Sequence, residues 1–166
     1  YAERNPGVVQ ELGDVGNDIQ IYGNKLYAII NCSHFVEVMN VETAKHITQI
    51  SIPNCRYIVF KDKYAYVSSY AGPVKIDPNA RLGYVARVDT TTLTVKDTCV
   101  VGYQPEEMVI VGNKLYVANS GGYRVPNYDR TVSVIDLNTF KVIKTIDVGI
   151  NLHRMELDQY GNCLLY

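Results

Sequence analysis

The chain has 166 residues, 47% of them apolar and 20% charged, with a net charge of −1. That balance supports a packed globular body and offers no basic field to draw nucleic acid or an anionic membrane surface. No apolar run approaches the roughly 20 residues a membrane-spanning helix needs.

In chain order, the first informative stretch is "GNKLY", Gly23 to Tyr27, because it returns unchanged at Gly112 to Tyr116. "DKYAY" (Asp62 to Tyr66) and "GNCLL" (Gly161 to Leu165) fit the same frame, so successive copies lie 39, 50 and 49 residues apart. A second phrase keeps this register: "VMNVETAKHI" from Val38, "RVDTTTLTVK" from Arg87 and "VIDLNTFKVI" from Val134. In each, Asn40, Asp89 or Asp136 is followed three residues later by Thr43, Thr92 or Thr139. Self-similarity at this period marks a repeat architecture.

Each unit reads as four strands. In the third they are "EEMVIV", "KLYVAN", "TVSVIDL" and "KVIKTIDV", short runs rich in Val, Ile and Tyr and bounded by turn residues. No window carries a helical apolar stripe. Four antiparallel strands per unit of about 40 to 50 residues predict an all-β fold, a β-propeller. A sandwich also has short strands but would not repeat its words unit by unit. The blades fall at 17–53, 54–102 and 103–150, with 1–16 a lead-in or preceding-blade remnant and 151–166 the start of a further blade. Propellers close into rings of about four to eight blades. The remaining blades are therefore expected from a missing segment or another chain.

The repeat separates what is fixed from what is free. From Tyr27, Tyr66 and Tyr116 forward to the next Asn or Asp the separation is 13, 23 and 20 residues, while the backward separations stay near-constant. The variation lies between the second and third strands. In an up-and-down blade that loop opens on the same face as the crossing to the next blade. One rim is scaffold and the opposite rim is variable.

On the variable rim the loops 68–83 and 119–130, with the crossings between blades, supply Tyr70, Tyr103, Tyr123 and Tyr128 as broad contact groups. Arg56, Asn79, Gln104, Arg124, Asn127, His153 and Arg154 add polar ones. Tyr with Asn, Gly and Ser is the vocabulary of a binding surface. Taken singly, each also suits an ordinary loop. Catalysis has little support: three His without metal-ligand spacing, no nucleophile elbow and no phosphate-cradling loop. Asp77-Pro78-Asn79 lacks the further acidic ligands of a calcium loop. Neither catalytic residues nor a metal are expected. The four Cys (32, 55, 99, 163) are expected as small apolar fillers, with a single bridge left open.

The phrases "YVANS" (Tyr116 to Ser120) and "TVSVIDLNTFKVIKTIDVG" (Thr131 to Gly149) resemble the YVTN/YncE-type propeller repeat across nearly the whole chain. "LGDVGNDIQIYGNKLY", "SYAGPVKIDPNA", "VGYQPEEM", "GGYRVPNYDRTVSVIDL" and "VGINLHR" more narrowly resemble the DUF5074 propellers of gut Bacteroidetes, which include BtuG-type surface lipoproteins. The resemblance implies a secreted, seven-bladed ring of which this chain is somewhat under half. It implies a non-enzymatic binder that captures cobalamin (vitamin B12) or a related corrinoid and hands it to a TonB-dependent outer-membrane transporter. Its place would be the outer-membrane surface, the periplasm or the medium. A glycan- or protein-binding module, or a lyase- or hydrolase-type propeller enzyme, is the competing expectation on the same frame.

Overall fold

The computed structural model describes residues 1–8 and 12–165 of the chain. Three four-stranded antiparallel sheets follow one another. The first holds β1 (Gly16–Tyr22), β2 (Lys25–Ile30), β3 (Phe35–Asn40) and β4 (His46–Ser51). The second holds β5 (Cys55–Lys61), β6 (Tyr64–Ser69), β7 (Tyr84–Asp89) and β8 (Thr94–Val100). The third holds β9 (Pro105–Val111), β10 (Lys114–Asn119), β11 (Thr131–Asp136) and β12 (Lys141–Asp147). A two-stranded piece, β13 (Met155–Leu157) with β14 (Cys163–Leu165), closes the described chain. Strands pair in sequence order within every sheet, which is the up-and-down blade of a β-propeller. Tyr166, read as part of the last strand, lies outside the described residues.

The recurring words occupy matching places. Tyr27, Tyr66 and Tyr116 are each the third residue of their blade's second strand, opposite Val38, Arg87 and Val134 of the third. Gly23, Asp62, Gly112 and Gly161 all take positive φ (61°, 52°, 58° and 82°) in the turn before that strand. The second phrase forms the turn after the third strand. Asn40 Oδ1 accepts from the backbone of Glu42 and Thr43, Asp89 Oδ1 from Thr91 and Thr92, and Asp136 Oδ1 from Asn138 and Thr139. Each turn then passes through positive φ at Ala44, Leu93 or Phe140 (54°, 56°, 51°). These short side chains mimic a backbone turn, which is why Asn or Asp recurs there. Thr92 and Thr91 N–H hold the Asp89 carboxyl below the usual carboxylate range, and Thr139 N–H does so first for Asp136.

The two turns of each blade are stitched together. Val41 N–H donates to the Asn24 carbonyl, Thr90 to Lys63 and Leu137 to Asn113, at 3.1, 2.9 and 3.0 Å. One bulge recurs as well, between Val38 and Met39, Arg87 and Val88, and Val134 and Ile135. It adds twist to the outer pairing at the same place in each blade.

The apolar core is a series of seams between blades. Tyr27, Ile29, Val36 and Val38 of blade one meet Ile58, Ala65, Val67 and Ala86 of blade two. Tyr66, Val85 and Cys99 of blade two meet Leu115, Val117, Ile135 and Phe140 of blade three. Ala118 and Val132 of blade three meet Leu152 and Met155. The repeated Tyr are seam groups: Tyr27 tilts on Phe60 at 4.9 Å and Tyr66 on Phe140 at 5.9 Å. Because each blade buries its face only against its neighbour, the same residue must answer the same need each time.

First strands of consecutive blades touch one another, β1 with β5, β5 with β9 and β9 with β13, and so surround a common axis. A channel cavity of 340 Å³ lies among them, lined by Asp18, Gln20, Tyr57, Glu107, Arg154 and Glu156 with apolar neighbours. The lead-in lies against blade one: Tyr1 OH donates to Glu37 Oε1 (2.9 Å), and Asn5 Oδ1 accepts from His46 N–H (2.6 Å). Ile19 and Ile21 of β1 are exposed.

The Cys expectation holds for half the set. Cys55 and Cys99 are buried fillers, and burial pushes the Cys55 thiol up to about 12. Cys32 and Cys163 are exposed, because one sits in the short loop 31–34 and the other on the last described strand. All four are free thiols.

Candidate functional site

The β2–β3 connection of blade one spans only 31–34, whereas the equivalent loops of blades two and three span 70–83 and 120–130. Both long loops bond to the crossings that precede their blades. Tyr70 N–H donates to the Asn54 carbonyl (3.2 Å), and Ser120 and Gly121 N–H donate to the carbonyls of Gln104 and Tyr103 (3.2 and 3.0 Å). Asn54 and Gln104 take positive φ (42° and 49°), as Val15 does before β1. Each turns the chain sharply into a first strand.

The loops also grip each other. Asp77 N–H donates to the Tyr123 carbonyl (2.9 Å), and Arg124 donates to the carbonyls of Pro78 (3.1 Å) and Asn127 (2.7 Å). The Arg124 guanidinium lies 3.5 Å from the Tyr103 ring centre, a cation–π contact. Tyr123 meets Tyr70 edge-on at 6.3 Å, and its N–H donates to Gln104 Oε1 (2.6 Å). Asp77 caps its own turn through Asn79 N–H (2.9 Å), the role of a turn residue.

Beneath the loops is a carboxylate that the sequence reading passed over. Glu106, on β9, is fully buried. Its Oε2 accepts from Arg56 Nε at 3.0 Å, and its Oε1 accepts from the Tyr70 hydroxyl. Ser120 Oγ and His153 Nδ1 each stand 3.5 Å from the same Oε1. Arg56 stacks over the Tyr70 ring at 4.8 Å. Burial first, then the neighbouring carboxylate, pushes the Tyr70 hydroxyl far above its ordinary value, so it acts as a donor throughout the working range. Hydrogen bonding to Glu106 raises His153.

The expected contact residues thus divide by position. Arg56, Tyr70 and Gln104 are turned inward and hold the frame. Tyr123 and Tyr128 are exposed on the loop rim, with Asn79 and Asn127. Tyr103 and Arg124 are half-buried between loop and crossing. His153 sits at the next crossing. Arg154 leaves this face altogether: it lines the axial channel and pairs with Glu107 at 3.4 Å. Between the loop 70–83 and the crossing lies a cleft of 230 Å³ whose lining includes Tyr70, Lys75, Asp77, Asn79, Arg81 and Gln104. Among the described residues, no three His, Cys, Asp or Glu come together to hold a metal.

No protein-family model and no curated protein matches the chain. Solved structures do, and they confirm a β-propeller fold. The chain is similar to hydrazine synthase of Kuenenia stuttgartiensis, with TM-score 0.71 and 20% identity over 84% of this chain and 39% of that one. It is similar to BamB from Moraxella catarrhalis (TM-score 0.64, 12% identity, 86% of this chain and 37% of that one). The dihydro-heme d1 dehydrogenase NirN, solved in complex with DHE, gives 0.65 at 12% identity over 92% and 33%. The chain spans between 33% and 39% of the length of these propellers. Their differing names match the rule that a propeller frame does not fix a function.

Proposed function

We propose that the loop face captures a ligand without transforming it, and that the ligand is cobalamin or a related corrinoid passed to an outer-membrane transporter. The observation that carries this is the construction of the face. Two long loops are braced from beneath by a buried Arg56–Glu106–Tyr70 cluster, and above it they present Tyr123, Tyr128, Arg124, Asn127 and Asn79. Pre-organising the frame cuts the ordering cost of binding. Stiff Tyr rings supply contact area at low entropy cost.

A corrin is a wide, flat ring fringed with amides. Tyr faces stack on such a ring, and Asn, Arg and backbone groups bond its side amides. The 230 Å³ cleft is below the roughly 300–1,000 Å³ of a drug-sized pocket, so it takes an arm of the ligand while the body lies across the rim. The choice of corrinoid rests on the sequence resemblance to DUF5074 and BtuG-type propellers. So does the location outside the cytoplasm, as a surface lipoprotein or a periplasmic or secreted protein. Catalysis is disfavoured because the buried carboxylates of the loop face are already committed, Glu106 to Arg56 and Tyr70, and Asp129 to the backbone N–H groups of Tyr103 and Thr131.

A protein partner is the second reading. Ile76, Leu82 and Val125 stand exposed on the same two loops at 73%, 44% and 40%, an apolar fringe that a transporter or another protein would cover. Calorimetric titration with cyanocobalamin separates the two. Heat at micromolar protein, lost in a Tyr123→Ala, Tyr128→Ala double variant, supports corrinoid capture. No heat removes it and leaves the protein-binding face.

A further inference from the structure

We propose that Glu106 is the positioning residue of the loop face, and that His153 completes its clasp only when the imidazole carries both protons. The inference deepens the ligand-binding reading above and names its regulation.

Glu106 joins segments that are distant in sequence. Arg56 belongs to β5, Tyr70 opens the long loop of blade two, Ser120 opens that of blade three, and His153 lies in the crossing to β13. One carboxylate therefore sets both long loops and the next crossing relative to each other. Gly122, in the blade-three loop, approaches the same crossing so closely that a Cβ there would stand 3.1 Å from Asn151 Oδ1 and 3.8 Å from His153 Cε1.

His153 faces acceptors on both ring nitrogens: Nδ1 lies 3.5 Å from Glu106 Oε1, and Nε2 lies 3.1 Å from Asn151 Oδ1. A neutral imidazole has a single N–H and leaves one of these contacts without a proton; imidazolium satisfies both. The charged groups acting on the ring are Glu106 of β9 and Arg56 of β5, while the chain neighbour Arg154 turns away to Glu107 in the channel. Burial and, less strongly, Arg56 oppose the imidazolium, and the hydrogen bond and charge of Glu106 outweigh them. Arg154 and Met155 N–H occupy Glu107. Since the folded value is raised, the contact is fully present below the ordinary His value of about 6.5 and is lost as pH rises through the raised one.

Amide hydrogen exchange of the full chain, corrected for intrinsic rates, tests this without a ligand. Protection of 120–130 and 148–154 is expected to fall several-fold between about pH 5.5 and 8.5, the interval that brackets a raised His. His153→Gln should abolish that dependence, and Glu106→Gln should move the His153 NMR titration midpoint down toward about 6.5. Protection that ignores pH, or a His153 midpoint unmoved by Glu106→Gln, overturns the proposal. His153→Gln replaces a half-exposed ring, so it reads the clasp even if Glu106→Gln fails to fold. Cyanocobalamin titration at both pH values separates the two ideas: loops that respond while cyanocobalamin gives no heat support the clasp and end the corrinoid reading.

Discussion

The two rims of this propeller are built on opposite principles. On the rim of Asn40, Asp89 and Asp136 every blade repeats one solution, down to the carboxylate or amide oxygen that accepts two backbone N–H groups and the positive φ four residues later. On the other rim, blade one has only 31–34 where its successors have 70–83 and 120–130. The crossings repeat a positive φ at Val15, Asn54 and Gln104, but the side-chain contacts built on them differ: an arginine over Tyr103, a buried carboxylate shared by blades two and three, a histidine at the next crossing. The local rim is written in residues three or four apart, and the divergent rim in residues fifty apart. A mutation on the first should therefore act locally and mildly, and one on the second should spread across blades.

The largest expected effect is at the hub. Glu106→Ala leaves the largely buried Arg56 without its carboxylate partner, and denaturant titration should show a loss of about 3 kcal/mol. A loss under 1 kcal/mol would mean that the cluster does not brace the loops.

Next comes Gly83, at the end of the blade-two loop. A Cβ there would overlap Pro105 Cδ and lie 2.6 Å from the Ser69 carbonyl, both parts of the frame. Gly83→Ala should cost about 1–3 kcal/mol, as overpacking does. Gly112→Ala on the repeated rim is the contrast: φ is 58° and nothing lies within 4 Å of the added methyl. Only left-handed backbone strain remains, about 1 kcal/mol. Equal costs at the two glycines would erase the distinction between rims.

The smallest effects concern pH, and they have opposite signs on the two rims. Asp89 and Asp136 have depressed folded values, so their contribution is present above the ordinary carboxylate range and fades as pH falls through the depressed values. Asn40 makes the same turn without a charge. Melting curves should thus show an acid limb that weakens in the Asp89→Asn, Asp136→Asn variant, while the His153 contribution disappears toward alkaline pH.

The same contrast explains what could be read from sequence. The blade frame was legible because its determinants are local words: Gly-Asn before the second strand, and Asn or Asp followed by Thr after the third. The third blade's runs match β9 to β12 within a residue or so. The hub is not legible from "EEMVIV", where two acids open a strand and nothing local says which of them is buried. Glu106 is buried because Arg56 stands one blade earlier, 50 residues away, and that is the spacing from Tyr66 to Tyr116. Opposite charges at the same place in successive blades were the signal available. Its position in the crossing predicts Arg154 on the loop face, yet Glu107 draws it into the channel. The filler expectation for Cys32 and Cys163 rests on the lack of metal-ligand or redox spacing between Cys pairs, and spacing carries no burial.

The central claim is that binding belongs to the divergent rim while the repeated rim only holds shape. The direct measurement is calorimetric titration of cyanocobalamin into two folded variants, Tyr123→Ala with Tyr128→Ala on the loops and Gly112→Ala on the repeated turn. Binding heat that vanishes in the first and persists in the second is the expected result. Heat that survives the loop variant, or that fails equally in both, would contradict it.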